Sequence, residues 1–428
     1  MACPKPKFRT LGIIAGLCAV GAVSGPAWAS DADALDLKPD IDESAKPSGG
    51  KGLRTLVELA TGRMTQRYGL PTEDTRRASL DLNWEVRLAP QWRAVLSDRV
   101  DDQHPVDAGS RSTLNSLREA SLGWQSEDGR LALDGGRINY RNGPGYGFNP
   151  TDFFRDGSVR ALTSSDPLAL RENRLGTVMI RAQKVWQGGS VTLAVAPKLR
   201  DSASLESFSP DWGATNHASR ALLVVSAQPF DKVSLQAFAF DERGKGAQIG
   251  VNANALLGDA TVAHAEWAGG KDHDLLSAAL GAPKTKSSHR AVVGLTFTTP
   301  GKLSLTGEFQ YNGFALSKAG WSDALRTHGL EPLAAYQIEV QRRQDIASRK
   351  AAMVYVSQRD AGLKGLELTG LLRVNLEDHS RFWWAEARYH FNRIDLALQW
   401  QQNQGRADSE FGAMPARSLL QLIVAAYF

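Results

Sequence analysis

Apolar and polar side chains alternate with a period of two along most of this chain. From Ser79 to Leu88, the residues Leu80, Leu82, Trp84, Val86 and Leu88 fall on one side, and Ser79, Asp81, Asn83, Glu85 and Arg87 on the other. Lys302 to Asn312 repeats the pattern, with Leu303, Leu305, Phe309 and Tyr311 opposing Lys302, Ser304, Thr306, Glu308, Gln310 and Asn312. Leu366 to Asn375 does so again, Leu366, Leu368, Leu372 and Val374 opposing Glu367, Thr369, Arg373 and Asn375. This spacing predicts strands with one apolar and one polar face. About eighteen such segments of roughly ten residues run from Leu53 to the end. Their centres lie near 58, 83, 96, 120, 133, 180, 194, 222, 236, 252, 263, 294, 307, 354, 369, 385, 398 and 422.

The connections sort by length. Ala89-Pro90, Glu127-Asp128-Gly129, Gln187-Gly188-Gly189, Pro229-Phe230-Asp231, Leu257-Gly258-Asp259, Thr299-Pro300-Gly301, Ala361-Gly362 and Asn392-Arg393 are tight turns after even-numbered strands. Most links after odd strands are longer, notably Asn139 to Asn173, Asp201 to Asn216, Gly269 to Ser288 and Gly313 to Ser348. A soluble sandwich has no reason to sort its loops this way, whereas a membrane barrel has short turns at one rim and long loops at the other. An even strand number also returns the chain to the side it entered from. The expected fold is therefore all-β: a transmembrane antiparallel β-barrel of about eighteen strands, with long extracellular loops, one or two folded inward as short helices.

The ends fit this reading. Lys5, Lys7 and Arg9 precede an apolar run from Leu11 to Val23, and Ala27-Trp28-Ala29 makes a small-residue cleavage site. Residues 1–29 read as a signal peptide, 30–50 as a flexible periplasmic leader rich in Asp, Ser, Pro and Gly, and 51–428 as the barrel. Both cysteines, Cys3 and Cys18, fall in the signal, so the mature chain carries no disulfide and no thiolate. The formal charge of +4 drops by the three signal cations to +1, which gives no support for a nucleic-acid partner. Phe428 ends a strand that carries Leu420, Leu422, Val424 and Ala426 on its face, and it is similar to the assembly signal that outer-membrane barrels present to the barrel assembly machinery. Trp92, Trp124, Trp186, Trp383, Tyr389, Phe391 and Tyr427 sit near strand ends and are expected to form headgroup girdles.

About eighteen strands enclose a lumen too wide for wall side chains to fill. The polar faces expected to line it carry Asp81, Glu85, Arg87, Glu119, Arg181, Arg290, Lys302, Glu308, Glu367, Arg373, Glu386, Arg388, His390 and Asp395. Both signs occur in similar numbers, which predicts weak ion selectivity or recognition by local charge pairs, with cross-lumen rigidity an equal reading for any one residue. Gly136 to Phe154 reads as a loop that folds inward, with Asn149 capping a short helix that starts at Pro150 and Asp152 at its positive end. Arg141, Tyr146, Asn149, Asp152 and Arg155 are the expected constriction residues. A second helix is expected from Asp166-Pro167 to about Asn173 and a third from Lys318 to Arg326 between Ser317 and Gly329. Glu331 to Gln344 fits helix spacing through Leu333, Tyr336 and Val340 but also alternates through Tyr336, Ile338 and Val340, and helix or cap is preferred because a strand would upset the even strand count.

The strand ending Gly136-Arg137, the Arg/Gly turn and Asn149-Pro150-Thr151-Asp152 resemble porin-like and alginate-export-like outer-membrane barrels. The likeness covers about twenty residues and the barrel pattern, and the lumen here lacks the Arg/Lys dominance of alginate exporters. The likeness is too short to carry over a substrate; the barrel, its polar inner faces and its long loops together lead to the expectation of an outer-membrane channel for passive passage of small polar solutes, narrowed by the 139–173 loop. The alternative is an export barrel for a polysaccharide or lipid working with periplasmic partners. The other expected contacts are outer-membrane lipid and lipopolysaccharide. No catalytic role is expected: His217 near Ser219 and His264 near Glu266 match no nucleophile–base motif. No cofactor is expected, and the histidines form no metal-ligand spacing. Cleavage after Ala29 predicts a mature protein starting at Ser30; intact mass and N-terminal sequencing of membrane-extracted protein check this, and a retained Cys18 would contradict it.

Overall fold

The structure is a computed structural model that describes residues 52–106, 111–204, 206–329 and 331–428. The signal peptide and leader expected over residues 1–50 lie outside the described residues. The first strands are β1 (Leu53–Gln66), β2 (Glu73–Ala89), β3 (Trp92–His104), β4 (Thr113–Gln125), β5 (Leu131–Ile138) and β6 (Thr177–Trp186). Then come β7 (Gly189–Ala196), β8 (Arg220–Phe230), β9 (Val233–Glu242), β10 (Gly246–Leu256), β11 (Thr261–His273) and β12 (Thr285–Thr298). The last are β13 (Leu303–Asn312), β14 (Lys350–Gln358), β15 (Leu366–Asn375), β16 (Arg381–His390), β17 (Ile394–Gln404) and β18 (Ala416–Tyr427). All eighteen expected centres fall inside these strands.

Each strand pairs antiparallel with its sequence neighbour, and β18 closes on β1 from Leu56 opposite Tyr427 to Gln66 opposite Ala416. Closure removes the free edges that would leave N–H and C=O groups unpaired in lipid. No described helix is long and apolar enough to cross a membrane.

The two faces separate as the alternation requires. Leu193, Leu223, Val225, Ile249 and Val251 point outward and are exposed, while their inward neighbours Leu222, Val224 and Asn252 are buried. Trp92, Trp186 and Phe391 stand exposed near the rim of tight turns, where a girdle would lie. Tyr427 departs from that expectation. Its hydroxyl donates to Asp395 at 2.7 Å, so it belongs to the inner face.

The inner face is not polar all round. Met179, Ala194, Ala196, Leu222, Val224, Phe238 and Phe240 form an apolar patch inside β6–β9, covered by Phe153 and Phe154 of the segment that follows β5. The run Ala221-Leu222-Leu223-Val224-Val225 in β8, apolar on both faces, is the sequence mark of a strand covered on both sides.

A β-bulge between Ser97 and Asp98 makes another exception, since Ser97 faces Glu119 but Asp98 faces Leu117. The extra residue, Arg118, turns inward beside Glu119 and binds Asp81 (Nη1 to Oδ2 2.8 Å). Strict alternation places it outside, which is why it escapes the sequence reading.

Four short helices occupy the loop end: α1 (Pro167–Glu172), α2 (Leu275–Ala279), α3 (Lys318–His328) and α4 (Glu331–Arg343). Asp166 caps α1 and Ser317 caps α3, accepting from Leu168 N at 3.1 Å and Gly320 N at 3.2 Å. Gly329 ends α3 at φ 77°, a backbone region that glycine enters without steric cost. Three of these were legible in sequence; α2, only five residues long, was not. The helix expected to start at Asn149 is absent, and the chain there runs through turns instead.

Candidate functional site: the inner loop and its carboxylate anchors

After Ile138 the chain leaves the wall and enters the lumen, returning at Thr177. At its base, Asn139 N donates to Glu119 (3.1 Å). Arg174 grips Asp152 through both terminal nitrogens, at 2.6 and 3.2 Å, and also donates to the carbonyl of Tyr140. Both partners are buried, so this two-pronged bond fixes the mouth of the loop. Tyr140 and Arg181 lie beneath it, the guanidinium over the ring, and Arg181 is paired with Asp134 at 2.8 Å.

The far side of the loop meets the wall at two carboxylates. Glu266 on β11 accepts from Gly145 N (2.6 Å), Thr151 Oγ1 (2.9 Å), Asn149 Nδ2 (3.2 Å) and Thr151 N (3.3 Å). Glu308 on β13 accepts from Tyr146 N, Gly147 N (3.0 Å) and Gln310 Nε2 (2.8 Å), and lies 3.1 Å from His264 Nε2. Arg373 on β15 donates to the carbonyl of Gly147. This explains Gly143-Pro144-Gly145-Tyr146-Gly147. Gly143 has φ 90°, and a Cβ there would come within 2.5 Å of both Glu266 oxygens. The positive φ and the missing clearance at this position admit glycine and no larger residue.

The same contacts correct the expectation for Asn149. Its side-chain amide donates to Gly143 O, Gly145 O and Glu266 rather than capping a helix. The glycine and Asn-Pro pattern therefore builds an anion-holding turn.

On the other flank, Arg77 donates to Thr163 O (2.7 Å), Arg118 to Asn173 (2.7 Å) and Ser165 to Gln401 (2.8 Å). The loop is thus tied to β2, β4, β11, β13, β15 and β17. Tyr146 packs with Met353, Tyr355, Leu371 and Trp384, and Leu168 borders the cluster. Above, the inner loop joins the loop carrying α3 and α4. Arg155 pairs with Asp345 at 2.7 Å, Gly157 N donates to Arg342 O, and Asp156 meets Arg342 at 2.6 Å and Lys245 at 3.0 Å. Burial works against the Asp156 charge. Lys245, Arg342 and Arg343 outweigh it and hold the carboxyl well below its ordinary range.

The expected lining residues divide. Asp81, Arg181, Arg290, Glu308, Glu367, Arg373, Glu386 and Arg388 are wall positions, and each is engaged. Asp81 meets Arg99 and Arg118, Arg290 meets Asp272 and Asp345, Glu386 pairs with Arg388, and Glu367 accepts from Ser357. His390 bonds Asp395 at 2.9 Å. Glu85 and Arg87 lie at the turn end of β2, exposed, with Glu85 beside Arg93. Lys302 is the clear departure: it occupies the β12–β13 turn at φ 64° and pairs with exposed Asp360 at 2.6 Å, outside the wall. Pro300-Gly301 ends the alternation before it reaches that residue. Of the five loop residues, Tyr146, Asn149, Asp152 and Arg155 are buried in anchoring contacts and Arg141 is half-buried.

Sequence reasoning missed Glu266 as an anchor, along with Glu58, Arg77, Arg99 and Arg118. Arg77 and Arg99 meet Glu58 at 2.6 and 3.1 Å. His264 and Glu266 do share a lumenal face, and both are committed to holding the loop.

Two further loops meet at Glu410, which accepts from Asn375 Nδ2 (2.8 Å), while its own N–H donates to Asp378. Burial, and then Asp378, pushes the Glu410 carboxyl up from 4.5 to about 8. The folded state therefore holds a proton that the unfolded chain releases near 4.5. The stabilisation is present below that pH and is lost as pH rises to about 8. The temperature of the heat-modifiable gel shift is expected to fall between pH 5 and 9, and Glu410→Gln to flatten that fall; an unchanged slope would remove the assignment. Glu266→Ala strips the loop of several charge-assisted bonds, a loss on the order of 3–5 kcal/mol. Limited proteolysis of the folded variant should then nick within 139–176, whereas Glu85→Ala should not.

Comparison with known proteins agrees on the architecture. No family model matches the chain, and no curated protein matches its sequence. Among solved structures, it is similar to OccAB1 of Acinetobacter baumannii at a TM-score of 0.58 and 10% identity, covering 88% of this chain and 96% of that one. It is also similar to OccK5 (OpdH) of Pseudomonas aeruginosa at a TM-score of 0.52 and 9% identity, covering 88% and 98%. Both are Gram-negative outer-membrane porins. At this identity the likeness is one of fold: the chain has the closed eighteen-stranded barrel of that class.

Proposed function

We propose that this chain is an outer-membrane channel for the passive passage of small polar solutes, narrowed by its inner loop. The observation that carries the reading is a barrel apolar outside and largely polar inside, crossed by a loop that buried carboxylates hold against the opposite wall. An apolar exterior is stable only against lipid or another apolar surface. The ordered loop fixes the cross-section of whatever passage remains, which suits a sieve for small solutes better than a conduit for a polymer. Phe428 at the end of β18 fits recognition by the barrel assembly machinery, and residues 1–29 fit export as a signal peptide.

Paired charges of both signs on the lumenal wall support weak ion selectivity, since a counter-ion already sits beside most of these fixed charges. The role is non-catalytic: the histidine–carboxylate contacts described above act as struts, and none presents a nucleophile beside a free base.

Planar-bilayer recording tests this reading. The wild-type protein is expected to give small, well-defined steps with reversal potentials near zero in a salt gradient. Glu266→Ala/Glu308→Ala, which unties the loop, should raise single-channel conductance several-fold and increase its noise. No current in either protein, with both correctly folded by gel shift, would overturn the channel assignment.

A further inference from the structure

The wall has a weak point where β5 turns inward. β5 and β7 are only 8 residues long, against 13 for β4. A tilted strand advances about 2.5 Å per residue along the membrane normal, so eight residues cover about 20 Å of an apolar band roughly 25 Å tall. The upper half of β4 also loses its partner, because β4–β5 pairing ends at Ala120 opposite Arg137.

The described residues of the β7–β8 connection, 197–219, fill this gap in the plane of the wall. Asn115 N on β4 donates to Ser207 O (2.7 Å) and Val178 N on β6 donates to Asn216 Oδ1 (3.0 Å), while Gly176, the last residue before β6, donates its N–H to Arg118 O on β4. Asn216 Nδ2 bonds Val178 O and Pro197 O, which ties the segment to β6 and draws its two ends together. Arg137 reaches Gly176 O and Pro210 O and is wholly buried beneath it. From the lumen side, Arg160 donates to Ser204 O and Glu206 O and meets Asp211, while Arg220 donates to Thr215 O.

With the lumenal side taken by Arg160 and Arg220, the segment still exposes three large apolar side chains. Leu199 is 44%, Phe208 71% and Trp212 43% accessible. They continue the exposed outer face made just below by Ile180, Val195 and Leu223. Three large apolar side chains so exposed and so continuous with the outer wall form a patch that needs an apolar surrounding, while Arg200, Asp201 and Glu206 of the same segment stay exposed beside them. We infer that Leu199, Phe208 and Trp212 insert among the acyl chains of the outer leaflet where β5 and β7 fall short, with the exposed Arg200, Asp201 and Glu206 of the same segment at headgroup level. This rests on the membrane-barrel reading proposed above and adds a specific lipid-contact surface to it.

Cysteines at Phe208 and Trp212 test it, because the only natural ones, Cys3 and Cys18, lie in the first 29 residues. The mature protein with Phe208→Cys or Trp212→Cys is labelled with a polarity-sensitive fluorophore and reconstituted in phosphatidylcholine vesicles. Leu193→Cys on β7 serves as the wall reference and Asp323→Cys on α3 as the aqueous reference. Labels at 208 and 212 are expected to be quenched several-fold more by nitroxides high on the lipid acyl chain than by iodide in the buffer, following Leu193. Iodide quenching equal to that at Asp323, with Leu193 still quenched from the lipid, would overturn the inference alone. Loss of lipid quenching at Leu193 as well would overturn the membrane reading itself. Shielding that depends on protein concentration in detergent, with cross-links between copies through residue 208, would assign the surface to a second chain and also overturn the lipid assignment.

Discussion

Glu266 and Glu308 are buried carboxylates on neighbouring regions of the wall, and much of their charge is met by backbone N–H groups of one loop. Moving such a charge out of water costs several kcal/mol unless hydrogen bonds satisfy it. The inner loop supplies them from Gly145, Tyr146, Gly147 and Thr151, so loop and wall stabilise each other or neither is stable. The glycines of 143–147 follow from this, as does the inward turn after Ile138 and the apolar patch that receives Phe153 and Phe154.

That inward turn has a consequence on the outside. A barrel in lipid cannot leave a strand edge unpaired, yet sending the chain into the lumen after an eight-residue strand strips β4 of its neighbour. The β7–β8 segment accepts one of the freed β4 hydrogen bonds, from Asn115 N to Ser207 O, Gly176 supplies another to Arg118 O, and the segment is locked from inside by Arg160, which belongs to the inner loop. The inner loop and the β7–β8 segment are therefore joined, and Arg137, buried between them and bonded to Gly176 O and Pro210 O, marks the joint. The loop bearing α3 and α4 closes over the top through Asp156, Asp345, Arg155 and Arg342.

Nearly all of the barrel was legible in sequence because lipid outside and polar contacts inside impose a two-residue period that little disturbs. All eighteen strand centres follow from it, helices α1 and α3 follow from their caps at Asp166 and Ser317 and from Gly329, and α4 from the helical spacing of Leu333, Tyr336 and Val340. The site was less legible. Alternation says which way Glu266 points but not that a loop more than a hundred residues away in sequence arrives to meet it. Arg118 was hidden by a bulge that shifts the period by one residue, and Lys302 was assigned to the wall because the pattern ran one residue past its turn. At Asn149 a helix-cap signature served a different purpose: the side chain donates where a cap would accept, because a wall carboxylate competes for the same N–H groups.

The account depends on the loop being held by its carboxylate anchors in the membrane, and hydrogen–deuterium exchange of the reconstituted protein measures that directly. The amides of Gly145 to Thr151 should exchange as slowly as those of the wall strands that carry Glu266 and Glu308. They should accelerate by at least tenfold, with the wall unchanged, when Glu266 is replaced by alanine. Exchange in the wild type as fast as that of the solvent-facing turn at 361–362 would contradict the account, because a loop free of its carboxylates sets neither the passage nor the wall.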